Sequence, residues 1–152
     1  MENDNSIDVL NSLIVINNDR IAGYQTAVDE TKEADLKTLF SGFIQTSQKC
    51  KEELITEVAK LGGTPDDGTR EDGKLYRIWM DLKAAITGND RKAILNSCEY
   101  GEDVAVNTYE KVLKDKLEDL SPEQQALVSA QHLKIKADHD TVRNMRDALV
   151  DA

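Results

Sequence analysis

The feature that most constrains the fold is the recurrence of apolar residues at intervals of three and four along four long blocks of the chain. This spacing places the apolar side chains on one face of an α-helix. The first block carries Ile7, Leu10, Ile14, Asn17, Ile21, Tyr24 and Val28, and comparable series run from Leu36 to Leu61, from Ile94 to Val112 and from Leu127 to Leu149. Helices with one apolar face must pack against one another, so the sequence predicts an all-α bundle forming a single domain over residues 1–152.

The connections between the blocks predict how the helices are ordered. The first and second blocks, and the third and fourth, are separated by only a few residues, which favours antiparallel neighbours. The second and third blocks are separated by the segment from Gly62 to Asp90, in which Leu75 to Ile86 has the pattern of a short helix. A connector of this length can run the length of the bundle. We therefore expect a ferritin-like four-helix bundle with one long crossover, containing a short extra helix, between helices two and three.

Local signals mark where individual helices begin and end. Gly62 follows the last periodic residue of the second block, which is typical of a helix C-terminus. Ser121, with Gln124 three residues later, predicts the N-terminal cap of the fourth helix. Within the crossover, we expect Trp79 and Tyr76 to anchor the short helix on the bundle.

Charge and composition exclude several classes of partner. The net charge is −10, and Lys and Arg are scattered among acidic residues, so we expect binding neither to nucleic acid nor to an anionic membrane surface. No apolar run approaches the roughly 20 residues that a membrane span requires. The first residues lack the features of a secretory signal, and we expect a cytoplasmic protein in which Cys50 and Cys98 are buried and reduced. Homo-oligomer formation and an unidentified protein partner are open alternatives.

Each apolar series turns polar near the middle of its helix. These mid-bundle polar positions are Asn17 in the first helix, Ser47 and Cys50 in the second, Glu102 in the third, and Gln131 and Asp138 in the fourth. Ferritin-like di-iron proteins bind iron at this depth, through a Glu from each of two helices and a Glu-x-x-His motif from each of the other two. No Glu-x-x-His motif occurs in the sequence, and the second helix has Ser47 and Cys50 at the matching spacing. We therefore expect no ferroxidase activity.

Four residues are candidates for a metal site with fewer ligands than a di-iron centre: Glu102 and Glu99 on the third helix, His139 on the fourth and Asp19 on the first. Carboxylate and imidazole groups are common ligands of iron and other divalent metal ions. Each candidate also has a structural interpretation. Glu102 can be a buried carboxylate paired with another helix, and His139 can be a hydrogen-bonded histidine. Glu99 and the neighbouring Asp103 can belong to a solvated acidic face.

Three functional hypotheses follow from these positions. The one we favour is a non-enzymatic bundle, a stress-associated or interaction protein without a cofactor, whose mid-bundle polar positions fix the packing of the helices. The second is a ferritin-like metalloprotein that binds iron or another divalent metal ion at a site with fewer ligands, on helices three and four. The third is a binding module that docks through the crossover helix. The sequence has no Gly-x-Ser-x-Gly, phosphate-binding glycine loop or Cys-x-x-Cys motif.

A set of short motifs resembles a known family. The motifs are Asn18-Asp19 with Gly23-Tyr24, Leu61-Gly62-Gly63-x-Pro65, Gly73-x-x-x-Arg77-x-Trp79-x-Asp81-Leu82-Lys83, Cys98-Glu99-x-Gly101-Glu102-Asp103 and Gln131-x-x-x-Ile135-x-x-x-His139-Asp140-x-x-Arg143. Over nearly the whole chain they resemble an uncharacterised bacterial family of ferritin-like four-helix-bundle proteins, a domain of unknown function. The resemblance implies the ferritin-like fold and implies no activity.

Overall fold

The computed structural model describes residues 2–69 and 73–150, which form α-helices joined by turns and one longer irregular connection. The helices are α1 (Glu2–Glu30), α2 (Ala34–Lys60), α3 (Gly73–Thr87), α4 (Arg91–Asp115) and α5 (Pro122–Val150). A short 3-10 helix, Leu117–Asp119, precedes α5, and the described residues contain no strand. The all-α prediction is confirmed. The predicted domain of 1–152 also includes Met1, 70–72 and 151–152, which lie outside the described residues.

The predicted signals at the helix ends act through specific hydrogen bonds. After α2, Gly62 adopts a φ of 78°, and the N–H of Gly63 bonds to the carbonyl of Val58 at 3.0 Å. This positive φ is a conformation that glycine adopts without strain, so the chain can turn away from the helix axis. Before α5, the Gln124 N–H donates to the Ser121 hydroxyl at 3.1 Å, while the Ser121 N–H donates to the Gln124 side chain at 3.0 Å. The predicted cap of the fourth long helix is confirmed.

The long helices alternate in direction in a way that explains the long connection. Only residues 31–33 separate α1 from α2, which pack against each other and are therefore antiparallel. The α1–α4 pair is also antiparallel, since Asn17 bonds to Tyr109 whereas Arg20, one turn later on α1, bonds to the earlier Glu102. α4 consequently points the same way as α2. The segment that links them returns the chain along the bundle, and α3 packs against α4 and α1 on the way.

The core consists of two apolar clusters with polar side chains between them. One cluster includes Leu10 and Leu54, and the other includes Tyr24 and Phe40, whose rings stack with their centroids 5.5 Å apart. Between the clusters lies a polar layer formed by Asn17, Arg20, Ser47, Glu102 and Gln131, each of them at most 1% exposed. The bundle therefore brings the midpoints of its long helices together around charged and hydrogen-bonding groups.

A tryptophan attaches the crossover helix to the bundle. The Trp79 ring lies against Gly23 of α1 and Gly101 of α4, where an added Cβ would come within 2.5 Å and 3.1 Å of ring atoms, respectively. At Gly23 any side chain would occupy the space of the indole, whereas at Gly101 an added Cβ would require the ring to shift slightly. Tyr76, by contrast, is 62% exposed, so the prediction that it anchors the helix is wrong. It lies on the outward side of α3, since Leu75, Ile78 and Leu82 occupy the inward side.

Candidate functional site

An arginine lies at the centre of the polar layer. Arg20, on α1, is completely buried, and its Nε donates to Glu102 Oε2 at 2.8 Å while its Nη2 donates to Glu102 Oε1 at 2.5 Å. The planar guanidinium thus engages both oxygens of one carboxylate, which is the strongest arrangement for this pair of groups. Both oxygens of Glu102 are occupied by protein donors.

The same guanidinium also binds groups from the other two long helices. Its Nη1 donates to the Ser47 hydroxyl of α2 at 2.6 Å, and its Nη2 donates to Asp138 Oδ2 of α5 at 3.0 Å. Each of the four long helices therefore supplies one member of this ion network, defined here as Arg20, Ser47, Glu102 and Asp138. Asp138 is the only one of the four with an exposed side chain, at 19%.

Electrostatics keep this arginine charged despite its burial. Burial alone would lower the pKa of Arg20, but the negative charge of Glu102 and the hydrogen bonds between them outweigh it and raise the pKa above its usual value. Burial also raises the pKa of Asp138, although the charge of Arg20 opposes this shift. The network thus holds a fixed positive charge in the middle of the bundle, between two carboxyl groups.

The remaining polar side chains form a hydrogen-bonded chain beside the ion network. Asn17 Nδ2 donates to the Tyr109 hydroxyl at 2.9 Å, and that hydroxyl donates to Gln131 Oε1 at 2.7 Å. Gln131 Nε2 then donates to the carbonyl of Cys50 at 3.1 Å. These hydrogen bonds link α1, α4, α5 and α2 in turn. Asn17, Glu102, Gln131 and Asp138, four of the mid-bundle polar positions that the sequence indicates, all hydrogen-bond to residues of other helices.

The two thiols and a tyrosine near these networks are protected from reaction. Cys50 and Cys98 are both fully buried and unpaired, as predicted. Burial raises the pKa of Cys50 to about 11, and burial together with the charge of Glu102 raises the pKa of Cys98 well above its usual value. The same two causes, in the same order, raise the pKa of Tyr24, whose buried hydroxyl has no hydrogen-bond partner among the described residues. None of the three groups has the properties of an activated nucleophile.

A second group of ligand-type side chains lies between α4 and α5, outside the polar layer. It consists of Glu99, Asp103 and His139, called here the His139 cluster, and one donor atom from each lies within 4.8 Å of the others. His139 Nε2 is 2.6 Å from Asp103 Oδ1, and Nδ1 is 3.2 Å from Asp140. Glu99 forms an ion pair with Arg146. In the described parts of the chain, this is the one set of three His, Cys, Asp or Glu side chains spaced closely enough to hold a metal ion.

The four candidate metal ligands fall in three different places. Glu99 and His139 come together in the His139 cluster, where Asp103 joins them. Glu102 points into the core and is bound by Arg20. Asp19 is buried on α1, at 4% exposure, and is not part of the cluster. The arrangement thus brings together two of the four residues and adds one that the sequence had suggested for a solvated face.

Arg20 is the central residue of the site that the sequence patterns did not predict. It lies three residues after Asn17 and four before Tyr24, a spacing that places it on the same helix face as both. This position was a usable signal, because a basic residue at mid-helix depth can supply the charge that balances a buried carboxylate. Tyr109 lies within the apolar series from Ile94 to Val112, although its hydroxyl connects Asn17 to Gln131.

The fold and the site together define a helical bundle whose core contains a buried ion network. The chain belongs to the family described as Domain of unknown function (DUF2383), whose model matches residues 5–115. The match ends with the last residue of α4, so α5, which carries Gln131, Asp138 and His139, lies beyond it. A comparison with curated proteins found no match. None of the helices in the described residues has an apolar stretch sufficient to cross a membrane.

Proposed function

We propose that this protein is a non-enzymatic, ferritin-like bundle in which the Arg20 side chain takes the position that metal ions hold in ferritin-like metalloproteins. The observation that carries the proposal is the two-point bond between Arg20 and Glu102 at the centre of the bundle. The common direction of α2 and α4, with a crossover helix between them, supports the ferritin-like assignment.

The chemistry of the polar layer argues against a di-iron centre in the core. Such a centre needs several carboxylates and two histidines that converge on the metal ions. Here the groups that converge on the Arg20 guanidinium are one hydroxyl and two carboxyl groups, and both oxygens of Glu102 already accept bonds from Arg20. A metal ion entering this space would have to displace the Arg20 guanidinium, which carries a positive charge and repels it. The guanidinium thus neutralises the carboxylates as a metal ion would, but it cannot change oxidation state.

A structural role for the network follows from its connectivity. Arg20 bonds to one residue on each of the other three long helices, so any shift in the register of one helix breaks a buried charged bond. Buried polar contacts of this kind can specify one packing arrangement at some cost in stability. In this proposal the bundle supplies a rigid surface for interaction rather than a centre of reaction.

Aerobic oxidation of iron(II) tests the proposal. Protein purified without a metal-chelating tag and stripped of metal should oxidise iron(II) no faster than buffer alone. The Glu102→Gln variant should give the same rate, because Glu102 serves Arg20 rather than iron. Saturable acceleration by the wild-type protein that disappears in Glu102→Gln would overturn the proposal and place a ferroxidase centre in the core.

A further inference from the structure

The groove between α4 and α5 holds three ligand-type side chains that the ion network does not use. We propose that the His139 cluster binds a divalent transition-metal ion, with zinc as the best match. This inference is independent of the proposed function, because Glu99, Asp103 and His139 are different residues from those that surround Arg20. It assigns the protein a metal-binding site near its surface while leaving the core as an arginine-centred network.

The positions of the three residues follow from helix geometry. Glu99 and Asp103 are four residues apart on α4, so their side chains lie one above the other on one helix face. His139 faces them from α5, which packs antiparallel against α4. The ligand atoms of a tetrahedral zinc ion, each about 2.0–2.2 Å from the metal, lie about 3.3–3.6 Å apart. The three donor atoms here lie within 4.8 Å of one another, so side-chain rotations that bring them at most about 1–1.5 Å closer form the site.

The ligand set matches the preferences of zinc. Zinc is commonly bound by an imidazole nitrogen and carboxylate oxygens, and sites with three protein ligands leave a fourth position for water or another small ligand. All three residues are partly exposed, so an ion can reach them from solvent. The two carboxylates supply two negative charges, which a divalent cation balances. Imidazole also suits iron and nickel, which makes zinc a preference rather than a strict requirement.

The surroundings of His139 provide a second argument. Its Nδ1 lies 3.2 Å from the Asp140 carboxylate, while its Nε2 points toward Asp103 and the rest of the cluster. A carboxylate that accepts a hydrogen bond from one ring nitrogen fixes the ring so that the other nitrogen can bind a metal ion, an arrangement typical of zinc proteins. Asp140 is thus placed to orient the imidazole.

Arg146 is the cation that competes for this cluster. It pairs with Glu99, and it also bonds to Asp147 at 2.9 Å. Because Asp147 gives the guanidinium a second acceptor on the same helix, Arg146 can swing away from Glu99 without losing its charged partner. Arg143, the other nearby arginine, pairs with Asp140 at 3.4 Å and is not bonded to the three proposed ligands in the described residues.

Titration with zinc ions tests the inference. The full chain, purified without a histidine tag and stripped of metal, should bind one zinc ion in isothermal titration calorimetry. Loss of an outer partner of a metal site costs about 10–100-fold in affinity, so replacing a direct ligand should cost at least about tenfold. Asp103→Asn and His139→Gln should both show this loss. The Asp103 side chain is 46% exposed, so its amide variant should fold normally, which circular dichroism will check.

His132 provides the matched control for this titration. It also lies on α5 and faces α4, with its Nε2 3.3 Å from Glu110, but it has no second carboxylate that completes a metal site among the described residues. His132→Gln and the core variant Glu102→Gln should bind zinc as the wild type does. Absence of zinc binding by the wild type, or equal affinity in Asp103→Asn, overturns the inference. Loss of binding in Glu102→Gln alone would instead place the metal in the core and contradict the proposed function as well.

Discussion

Arg20 and Glu102 form a two-point ion pair in which both side chains are entirely shielded from solvent. Removing two charges from water is costly, and the cost is recovered only if the geometry is good and the remaining polar atoms are satisfied. The extra bonds from Arg20 to Ser47 and Asp138 meet this condition. Replacing one partner of this pair should therefore destabilise the protein much more than replacing both with apolar residues.

Truncating Glu102 should strongly destabilise the bundle. We expect Glu102→Ala to lower the free energy of unfolding by about 3 kcal/mol or more, because Arg20 is left as a buried charge with one carboxyl partner. Glu102→Gln should cost less, since it keeps the shape and one acceptor. Urea denaturation followed by circular dichroism measures both changes. Asp35→Ala, which removes the more exposed of the two acidic partners of Arg91, is the control and should cost about 1 kcal/mol or less.

The contact between Trp79 of the crossover helix and Gly23 predicts that two glycine substitutions change stability in opposite directions. Gly23→Ala should destabilise the protein, because its Cβ would lie 2.5 Å from the Trp79 ring. Gly42→Ala is the matched control, since an added Cβ there meets nothing within 4 Å. In the middle of α2 it should stabilise the protein by about 0.5–1 kcal/mol through the helix propensity of alanine. Thermal melts of the two variants compare them directly, and equal melting temperatures would contradict the described position of Trp79.

Thiol labelling should be slow in the folded protein. The thiolate is the reactive form of cysteine, and burial raises the pKa of Cys50 to about 11, so little thiolate is present at pH 8. Cys98 is equally shielded, and its pKa is raised in the same direction. An aromatic disulfide reagent should modify both cysteines promptly in denaturant and neither of them promptly without it. Rapid labelling of one thiol in the native protein would contradict its burial.

Stability should fall as the pH rises above 9. The pKa of Cys50 rises from an ordinary value of 9.0 to about 11 on folding, and the pKa values of Tyr24 and Tyr109 are raised in the same direction by burial. Between the unfolded and folded values the unfolded chain loses protons that the folded chain keeps, so the free energy of unfolding decreases with pH. Each such group contributes about 1.4 kcal/mol per pH unit within its window.

Below pH 9 these groups are protonated in both states, and their contribution is constant. Urea midpoints measured at pH 7, 8, 9, 10 and 10.5 show whether the decline begins where expected. A midpoint that stays level from pH 9 to 10.5 would be inconsistent with buried, protonated thiol and phenol groups.

Local patterns were sufficient to predict the helices and their ends. Gly62 and the Ser121–Gln124 pair act through hydrogen bonds that backbone N–H groups donate to acceptors within a few residues, so a short stretch of sequence is sufficient to predict them. The polar character of the middle of the bundle was also predictable, because Asn17 and Glu102 interrupt apolar series. These features depend on spacing along one helix.

The partners of the polar side chains depend on how the helices are rotated, and spacing does not determine this. Glu102 and Asp103 differ by about 100° around α4. That difference sends Glu102 to Arg20 in the core and Asp103 to His139 in the groove. Arg20 was overlooked because its burial requires acceptors from three other helices, which lie between 27 and 118 residues away in sequence.

Trp79 is the only tryptophan in the chain, and its indole lies between Gly23 and Gly101 where the crossover helix meets the bundle. Intrinsic fluorescence excited at the indole band therefore reports on the crossover helix and not on the long helices. Detachment of α3 would shift the emission to longer wavelength while the far-ultraviolet signal of the remaining helices stayed nearly constant. The protein thus contains its own optical sensor for partial opening, with no label needed.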